Sequence, residues 1–451
     1  MKTKSQHETM LKFVYHRGNW YDYAGRVYIP ITDEDMDAKI MAFLRERHPD
    51  HATKNMQANV IANLKAGNVA YIPSTVPMPV RVISPGEYVH VPGLMVMDNC
   101  IIDYDKATRA LFMGEDIPTE QYVFPHTPTL ITTVKLDYAF DPAADCPRFK
   151  KYLAEVLIEP DKIEQTQMMF GVAFVPATRY NVIFILYGNG GTGKTVLIHT
   201  LTHAVGKTNV CCVPLRVFSN RFALQPLTTC LLNIVGEMDT ETDNSSSLGA
   251  VEGILKDISS GGDIRVEQKN KDAYMATATA RNVFATNGLP NFIDRSDGIW
   301  DRLRIIPFEL KIRDTDRDNK FLKEEIVANE LPGIFMWAME GYAKLLRLGR
   351  FPECARGKEI KNKYRLNCDH ERMFLESRYE FTGMEADLIE VNQAYNEYRN
   401  WMTNNGYKGI RHIANFNDAM ERIFKGVNKN RKNLPDGRKV SCWLGVKVKI
   451  L

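Results

Sequence analysis

Residues 182–195 read VIFILYGNGGTGKT. The opening run, Val182–Tyr187, is apolar without alternation, which predicts a strand buried on both faces of a parallel sheet. The turn that follows, Gly188-Asn189-Gly190-Gly191-Thr192-Gly193-Lys194-Thr195, satisfies GxxxxGK[ST]. Val196–Ala204 then continues with helical character, so strand, glycine-rich turn and helix succeed one another as a phosphate loop requires. Glycines let successive backbone N–H groups converge on phosphate oxygens, and the helix N-terminus adds partial positive charge. In such a loop Lys194 reaches the β- and γ-phosphates and Thr195 is placed to ligate Mg²⁺. A plain glycine turn is the bland alternative, and the flanking strand and helix argue against it.

A phosphate loop by itself leaves kinases, GTPases and motors open, and the next stretches narrow the choice. Leu231–Val235 is an apolar strand that ends in Gly236-Glu237-Met238-Asp239. A carboxylate at such a strand tip can hold Mg²⁺ and orient a water toward the γ-phosphate, with Glu237 the first candidate and Asp239 the second. Asn282–Ala285 is another apolar strand, followed by Thr286-Asn287-Gly288, and an amide at that tip can position the lytic water. Asn before Gly is also an ordinary turn pairing. The stretch 297–308, DGIWDRLRIIPF, sets Arg302 and Arg304 at the start of a strand over Arg304–Pro307. An arginine there can stabilise transition-state charge on a neighbouring subunit's nucleotide, or form a plain salt bridge.

The chain has 451 residues, which implies two to four units, and 44% hydrophobic with 25% charged residues is an ordinary globular balance. Net charge is only +3, but its distribution is uneven. From Lys408 onward the bases are Lys408, Arg411, Arg422, Lys425, Lys429, Arg431, Lys432, Arg438, Lys439, Lys447 and Lys449, against Asp418, Glu421 and Asp436. A basic tail on a near-neutral body points to a local polyanion contact. None of the eight cysteines forms a CxxC pair, and no Cys/His group has zinc spacing. The N-terminal MKTKSQHETM lacks the apolar core of a secretory leader, and no apolar run approaches the ~20 residues of a membrane span. The expected setting is therefore a host cytoplasm with no membrane partner.

The expected fold class is α/β, a phosphate-loop core with a parallel sheet. Residues 1–140 read as a small α+β domain. There Trp20–Tyr23 and Arg26–Ile29 flank Ala24-Gly25 as a hairpin, and Thr32 caps a helix through Met36, Ile40, Phe43 and Leu44. Short strands are expected at Leu94–Met97 and Cys100–Tyr104. Residues 141–350 hold a helical lead-in (Pro147–Leu157 and Thr166–Ala173) and the motor, closing with a helical pair around Ile334–Leu346. Residues 351–451 combine short helices with a terminal hairpin, Val440–Leu444 and Val446–Ile450, the pattern of a winged helix.

Taken together, these motifs resemble the superfamily 3 helicases, in particular the phage/plasmid and poxvirus primase-helicase branch. The stretches that carry the likeness are GNGGTGKT, LLNIVGEMD, LKDISSGGDIRVEQKNKD, VFATNGLP and GIWDRLRIIPF, in that order. DNCIIDYD and LITTVKLDYAFDPAADCPRFKKYL upstream, and ELPGIFMWAMEGYAKLL with VNQAYNEYRNWM downstream, extend it over most of the chain. The resemblance implies an AAA+ core and a ring, usually a hexamer, that hydrolyses ATP with Mg²⁺ between subunits and translocates on single-stranded DNA at forked duplexes. It implies that residues Gly188–Thr195 bind ATP, that Glu237 activates water and that Asn287 senses the γ-phosphate. By position Arg304 best matches the arginine finger, with Arg302 the alternative. It also implies that Gly261–Lys271 forms a pore hairpin whose tip, Lys269, Asn270 and Lys271, grips DNA phosphates, where the plain alternative is a solvent-exposed turn. The acids depart from the pattern, since Met238 separates Glu237 from Asp239. Residues 1–140 show no acidic metal triad, so priming is assigned to a separate primase or polymerase partner. The competing functions are an AAA+ initiator or loader that binds origin DNA without processive unwinding and, least favoured, a small-molecule kinase.

Overall fold

A computed structural model describes residues 12–66, 71–175, 180–237, 245–268, 271–289, 297–407, 410–433 and 437–449. Its central sheet contains β1 (Ile183–Tyr187), β2 (Val210–Cys211), β3 (Leu232–Val235), β6 (Arg281–Thr286) and β7 (Leu303–Pro307). Between β3 and β6 the chain makes a separate antiparallel hairpin, β4 (Asp263–Gln268) and β5 (Lys271–Thr277). The sheet order is β2-β3-β6-β1-β7, and every neighbouring pair is parallel.

The unbroken apolar character of β1 has a direct structural cause. Ile183, Phe184, Ile185 and Leu186 are each at most 1% exposed. Phe184 and Leu186 enter one hydrophobic core, while Ile183 and Ile185 enter another on the opposite face. Strand side chains alternate between faces, so a strand with a core on each side needs apolar residues at every position. Each such side chain contributes about 1.5–3 kcal/mol on burial.

The first core is closed by α1 (Pro147–Leu157), α2 (Pro160–Ala173), α3 (Lys194–Val205) and a long helix, α6 (Leu322–Leu348). The second is closed by α4 (Ser245–Ser260), by the base of the β4–β5 hairpin and by α5 (Asp297–Trp300). Residues Met95 to Tyr138 bury side chains in the first core as well, with Tyr104 Oη donating to the Gly171 carbonyl (3.0 Å) and Tyr138 Oη to that of Ala204 (2.6 Å). The segment ahead of the expected boundary at residue 140 thus shares a core with the motor.

One expectation is corrected here. The helical pair around Ile334–Leu346 is a single helix of 27 residues that runs through Pro332. A proline inside a helix costs about 3 kcal/mol or more. Packing offsets that cost, since Ile334, Phe335, Met336, Trp337, Ala338 and Met339 are all buried directly after it. Glu330, in the turn before the proline, is itself buried and accepts from the Arg148 and Phe149 backbone N–H groups, both at 2.9 Å. A carboxylate at a helix N-terminus is favoured by the helix dipole, so Glu330 clamps α1 onto α6.

At the N-terminal end, strands Phe13–His16, Asn19–Tyr23, Tyr28–Ile31 and Tyr71–Ile72 make a four-stranded sheet. Tyr23 pairs with Tyr28, the hairpin expected from Ala24-Gly25. The helix Asp33–Arg47 starts in a capping box in which Thr32 and Asp35 satisfy each other's backbone N–H groups. It buries Met36, Ile40 and Leu44 as expected, while Phe43 is 53% exposed and lies off that face.

Beyond the long helix come α7 (Ala355–Cys368), α8 (His370–Arg378), β8 (Tyr379–Phe381), β9 (Leu388–Glu390), α9 (Val391–Asn404), α10 (Ile413–Ile423), β10 (Asn428–Asn433), β11 (Lys439–Leu444) and β12 (Val446–Val448). Helix α7 leans on the motor, with Lys361 Nζ donating to the Trp300 carbonyl (3.1 Å) and Tyr364 Oη to that of Leu289 (2.9 Å). The remaining elements gather on a separate core that includes Phe374, Tyr398, Phe416 and Trp443. The hairpin expected between 440–444 and 446–450 is not formed. Instead β11 pairs with β10 and β9, and β12 pairs with β8. Among the described residues no helix is long and apolar enough to cross a membrane.

Candidate active site

The phosphate loop sits at the C-terminal edge of the parallel sheet. Tyr187, the last residue of β1, lies opposite Thr286 on β6 and Pro307 on β7, and Val235 on β3 lies opposite Phe284. This register brings the loop, the acid that follows β3 and the amide that follows β6 out at one edge. In open α/β sheets that edge is where ligands bind.

The loop is held by close backbone approaches that only glycine permits. Gly191 has φ +81°, and a Cβ there would lie 2.8 Å from the Arg313 Cβ. Gly193 has φ +98°, and its carbonyl accepts from Tyr152 Oη at 2.9 Å. Because Tyr152 is on α1 and Glu330 holds α1 in place, the orientation of the loop depends on a helix outside the motif. Helix α3 begins at Lys194, so its N-terminus faces the turn.

Lys194 Nζ donates to the carbonyls of Gly188 and Asn189 (2.8 Å to the latter) and to Asn287 Oδ1 at 3.4 Å. Burial lowers the Lys194 ammonium pKa from its ordinary value. Thr195 is exposed at the first turn of α3, and Glu237 and Asn287 are exposed at the strand tips. These groups surround a cavity of about 340 Å³ lined by Tyr152, Glu155, Gly190–Val196, Glu237, Asn287, Arg313 and Arg317, among others. That volume is in the range of small-molecule sites. Among the described residues no group of three or more His, Cys, Asp or Glu stands together as a metal cage. A divalent ion at this edge would therefore share its ligands between Thr195, Glu237 and phosphate oxygens, as Mg²⁺ commonly does.

The structure brings together Lys194, Thr195, Glu237 and Asn287 with the loop residues Gly190 to Gly193. Asp239, Lys269 and Asn270 lie outside the described residues. Lys271 begins β5 and pairs in register with Gln268, so the hairpin inferred from the sequence is formed up to its turn. Its base is anchored, with Ile264, Val266 and Ala276 buried in the second core.

Arg302 and Arg304 are placed differently. Arg304 pairs in register with Phe184, three residues back from Tyr187, or about 10 Å along the strand from the loop edge. It is tied within its own chain, since its guanidinium donates to the Asp301 (2.6 Å) and Phe351 (3.3 Å) carbonyls and pairs with Glu353 at 3.5 Å. Its side chain is only 13% exposed, and burial lowers its pKa. Arg302 lies between α5 and β7, and its guanidinium donates to Ser260 Oγ at 2.7 Å and to the Gly298 carbonyl.

Sequence reasoning missed two cations at the site. Arg313 and Arg317, beyond β7, line the cavity. The backbone N–H groups of Ile312 and Arg313 both donate to the Gly191 carbonyl, at 2.8 and 3.0 Å, which pins this segment onto the loop. In the sequence they belong to KIRDTDRD, which reads as a solvated charge run, and only the fold closes it over the phosphate loop.

Comparison with known proteins gives the following. A family model described as "Family of unknown function (DUF5906)" matches residues 186–302, and one described as "D5 N terminal like" matches residues 1–158. The chain is 22% identical over 347 residues to "Putative helicase 184R" of Invertebrate iridescent virus 6, covering 69% of this chain and 34% of that protein. It is 24% identical over 291 residues to "Putative helicase 121R" of Invertebrate iridescent virus 3, covering 58% and 30%. The chain thus spans about a third of the length of these viral relatives. Among solved structures, the apo C-terminal region of NrS-1 (305–718) matches with a TM-score of 0.50 at 12% identity, over 96% of this chain and 95% of that one. The chain is therefore similar in sequence to viral proteins named as helicases, and similar in fold, over nearly its full length, to the C-terminal region of NrS-1.

Proposed function

We propose that this chain is an ATP-hydrolysing ring motor that translocates on DNA, a replication helicase of superfamily 3 type with an AAA+ core. One observation carries the reading: Lys194, Glu237 and Asn287 leave three different strands at one edge of a sheet ordered β2-β3-β6-β1-β7. In chain order of the sheet strands this is 2-3-4-1-5, with the loop on strand one, the acid on strand three and the amide on strand four. That arrangement supports an AAA+ core rather than a kinase or a GTPase. The viral relatives' names point the same way.

In this reading the backbone N–H groups of Gly190–Lys194 hold phosphate oxygens, and Lys194 neutralises charge between β- and γ-phosphates. Thr195 and Glu237 are the residues that would hold Mg²⁺, which would add charge neutralisation on the phosphates. Glu237 orients and deprotonates the attacking water, and Asn287 links that water to Lys194. Asp239 is the reserve carboxylate. Arg302 and Arg304 sit at the opposite end of the sheet from their own loop, so either serves only another copy's nucleotide. The internal ties of Arg304 to Glu353 and Phe351 favour Arg302 as the finger, reversing the order that position alone suggests. Lys269–Lys271 at the hairpin turn would grip single-stranded DNA, a contact that carries no base information. The order α8, β9, α9, α10, β10, β11, with sheet order β9-β11-β10, supports a winged helix at the C-terminal end.

The test is a pair of assays on the full chain, phosphate release from ATP and displacement of a labelled strand from a forked duplex. Wild type performs both, Lys194→Ala and Glu237→Gln perform neither, and Lys269→Ala with Lys271→Ala keeps hydrolysis without displacement. A wild-type chain that hydrolyses ATP but never displaces a strand would transfer the reading to an initiator or loader.

A further inference from the structure

The strand β10 reads Asn428-Lys-Asn-Arg-Lys-Asn433. Five of its six residues are exposed, and only Lys432 is partly covered. It is the edge strand of its sheet and pairs with β11, which begins with the exposed Lys439 opposite Asn433. Among the described residues, Lys429, Arg431, Lys432 and Lys439 have no carboxylate partner, and Lys429 lies over the Trp443 ring at 5.4 Å. The described residues of this hairpin therefore carry four cations outside any described ion pair, with Asn428, Asn430 and Asn433 among them as neutral hydrogen-bond donors.

The neighbouring helix has the opposite character. The exposed positions of α10 are Ala414, Asn415, Asp418, Glu421 and Arg422. Arg422 is already paired with Asp369 at 2.9 Å, so the exposed face of α10 is left with two carboxylates. In a winged helix this is the helix that would enter a major groove, and two carboxylates repel the phosphates lining that groove.

We infer that the β10–β11 hairpin, and not α10, is a docking surface for duplex DNA, which it holds by its phosphate backbone without reading its bases. The choice of polyanion rests on the motor reading above. Charge complementarity supports the backbone as the ligand, because lysine, arginine and asparagine side chains on a solvent-facing strand are phosphate donors. The described part of the hairpin exposes no aromatic ring, since Trp443 is fully buried. A surface without an exposed ring lacks the stacking platform that unpaired bases use, which favours duplex over single strand. Edge strands also use charge, lysine above all, to block strand addition, and one or two lysines serve that purpose. Four cations on the described residues of one hairpin, with no described carboxylate among them, exceed what that purpose needs; Asp436, between the two strands, lies outside the described residues.

The experiment measures binding of the full chain to a labelled duplex of mixed sequence, and separately to a labelled oligothymidine, by fluorescence anisotropy over a salt series. The variant Arg431→Ala/Lys432→Ala/Lys439→Ala should bind duplex at least tenfold more weakly, with the slope of log affinity against log salt reduced by about 2 to 3, since each lost phosphate contact removes about 0.9. It should keep wild-type ATP hydrolysis, which shows that the fold is intact. Asp418→Ala/Glu421→Ala should bind duplex as well as wild type or better, and Arg45→Ala/Lys54→Ala/Lys358→Ala, which removes as many cations elsewhere, should bind as wild type. The inference is overturned if the hairpin variant retains the wild-type slope, if the remote variant loses as much, or if only oligothymidine binding falls. If wild type hydrolyses no ATP while the hairpin variant still loses duplex binding, the motor reading fails and the docking surface stands.

Discussion

Two single residues yield measurable consequences here. Arg313 is fixed to the phosphate loop through its own backbone N–H, so its guanidinium is held beside the cavity at little entropic cost. A hydrogen bond to a charged group contributes roughly 1.5–3 kcal/mol, so Arg313→Ala should weaken binding of a fluorescent ATP analogue by about tenfold or more. Arg313→Lys keeps the charge but not the fork and should recover only part of the loss. If Arg313→Ala binds as wild type while Lys194→Ala does not, the residue only packs against Gly191. The second residue is His16, which is 2% exposed and whose pKa burial lowers to about 4. Its folded pKa lies below the unfolded value near 6.5, so the unfolded chain binds the extra proton between those two pH values. Its contribution is complete above pH 6.5 and is lost as pH falls toward 4, by about 3 kcal/mol in all. Thermal unfolding followed by tryptophan fluorescence at pH 7.5 and 5 should show a drop that His16→Gln makes smaller, and an equal drop in the variant would assign it to other groups such as His199, whose pKa burial also lowers.

Among the elements, α6 makes the sharpest prediction. A Cβ on Gly333 would lie 2.2 Å from the Asp145 backbone, and one on Gly341 would lie 2.3 Å from the Gln167 carbonyl. Neither neighbour is a flexible side-chain end, so α6 must move away from the segment at Asp145 in the first case and from α2 in the second. Gly333→Ala should destabilise by about 1–3 kcal/mol in urea unfolding despite alanine's better helix propensity, because overpacking outweighs it. An unchanged or raised midpoint would show that α6 and residue 145 are not in contact. The same helix shows what was legible in the sequence and what was not. The buried strands β1, β3, β6 and β7 were legible within a residue or two because a sheet with a core on each face needs continuous apolar runs. The start of helix α1 was legible because Pro147 marks its first turn. The expected helical pair is one helix, because burial on both sides of Pro332 carries it through the proline. Strand β10 was invisible because neither of its faces is buried, so it has no apolar alternation to read, and the sequence reading instead paired the two apolar strands on either side of Gly445. At the site, Glu237 and Asn287 were legible as polar residues at the ends of apolar runs. Arg313 and Arg317 were not, because their place is fixed by backbone bonds to Gly191, which leave no trace in side-chain pattern.

For the whole molecule, the placement of the arginines bears on how many chains the proposed hydrolysis needs. Lys194 and Asn287 stand at one end of the sheet, and Arg302 and Arg304 enter at the other. Both guanidiniums bond groups away from their own cavity, Arg302 to Ser260 and Gly298 and Arg304 to Asp301, Phe351 and Glu353, and neither lines it. If an arginine is needed, the active unit contains at least two copies, joined head to tail so that the loop of one faces β7 of the next. Head-to-tail contacts give a ring when their rotation closes and an open filament when it does not, and a closed ring is the form the proposed motor requires. Mixing provides a clean test. Lys194→Ala and Arg302→Ala should each be inactive alone, the first for want of a phosphate ligand and the second for want of transition-state charge. Mixed before assembly, some junctions pair an intact loop from the second variant with an intact arginine from the first, and those junctions hydrolyse ATP. Phosphate release above the sum of the separate variants would then appear, rising to a maximum near equal proportions. Running the same mixture with Arg304→Ala in place of Arg302→Ala decides between the two arginines, because Arg304→Ala should lose stability through Glu353 and recover no activity on mixing. If neither mixture exceeds its separate components although both variants enter rings with wild type, each site is complete within one chain and the head-to-tail arrangement is wrong.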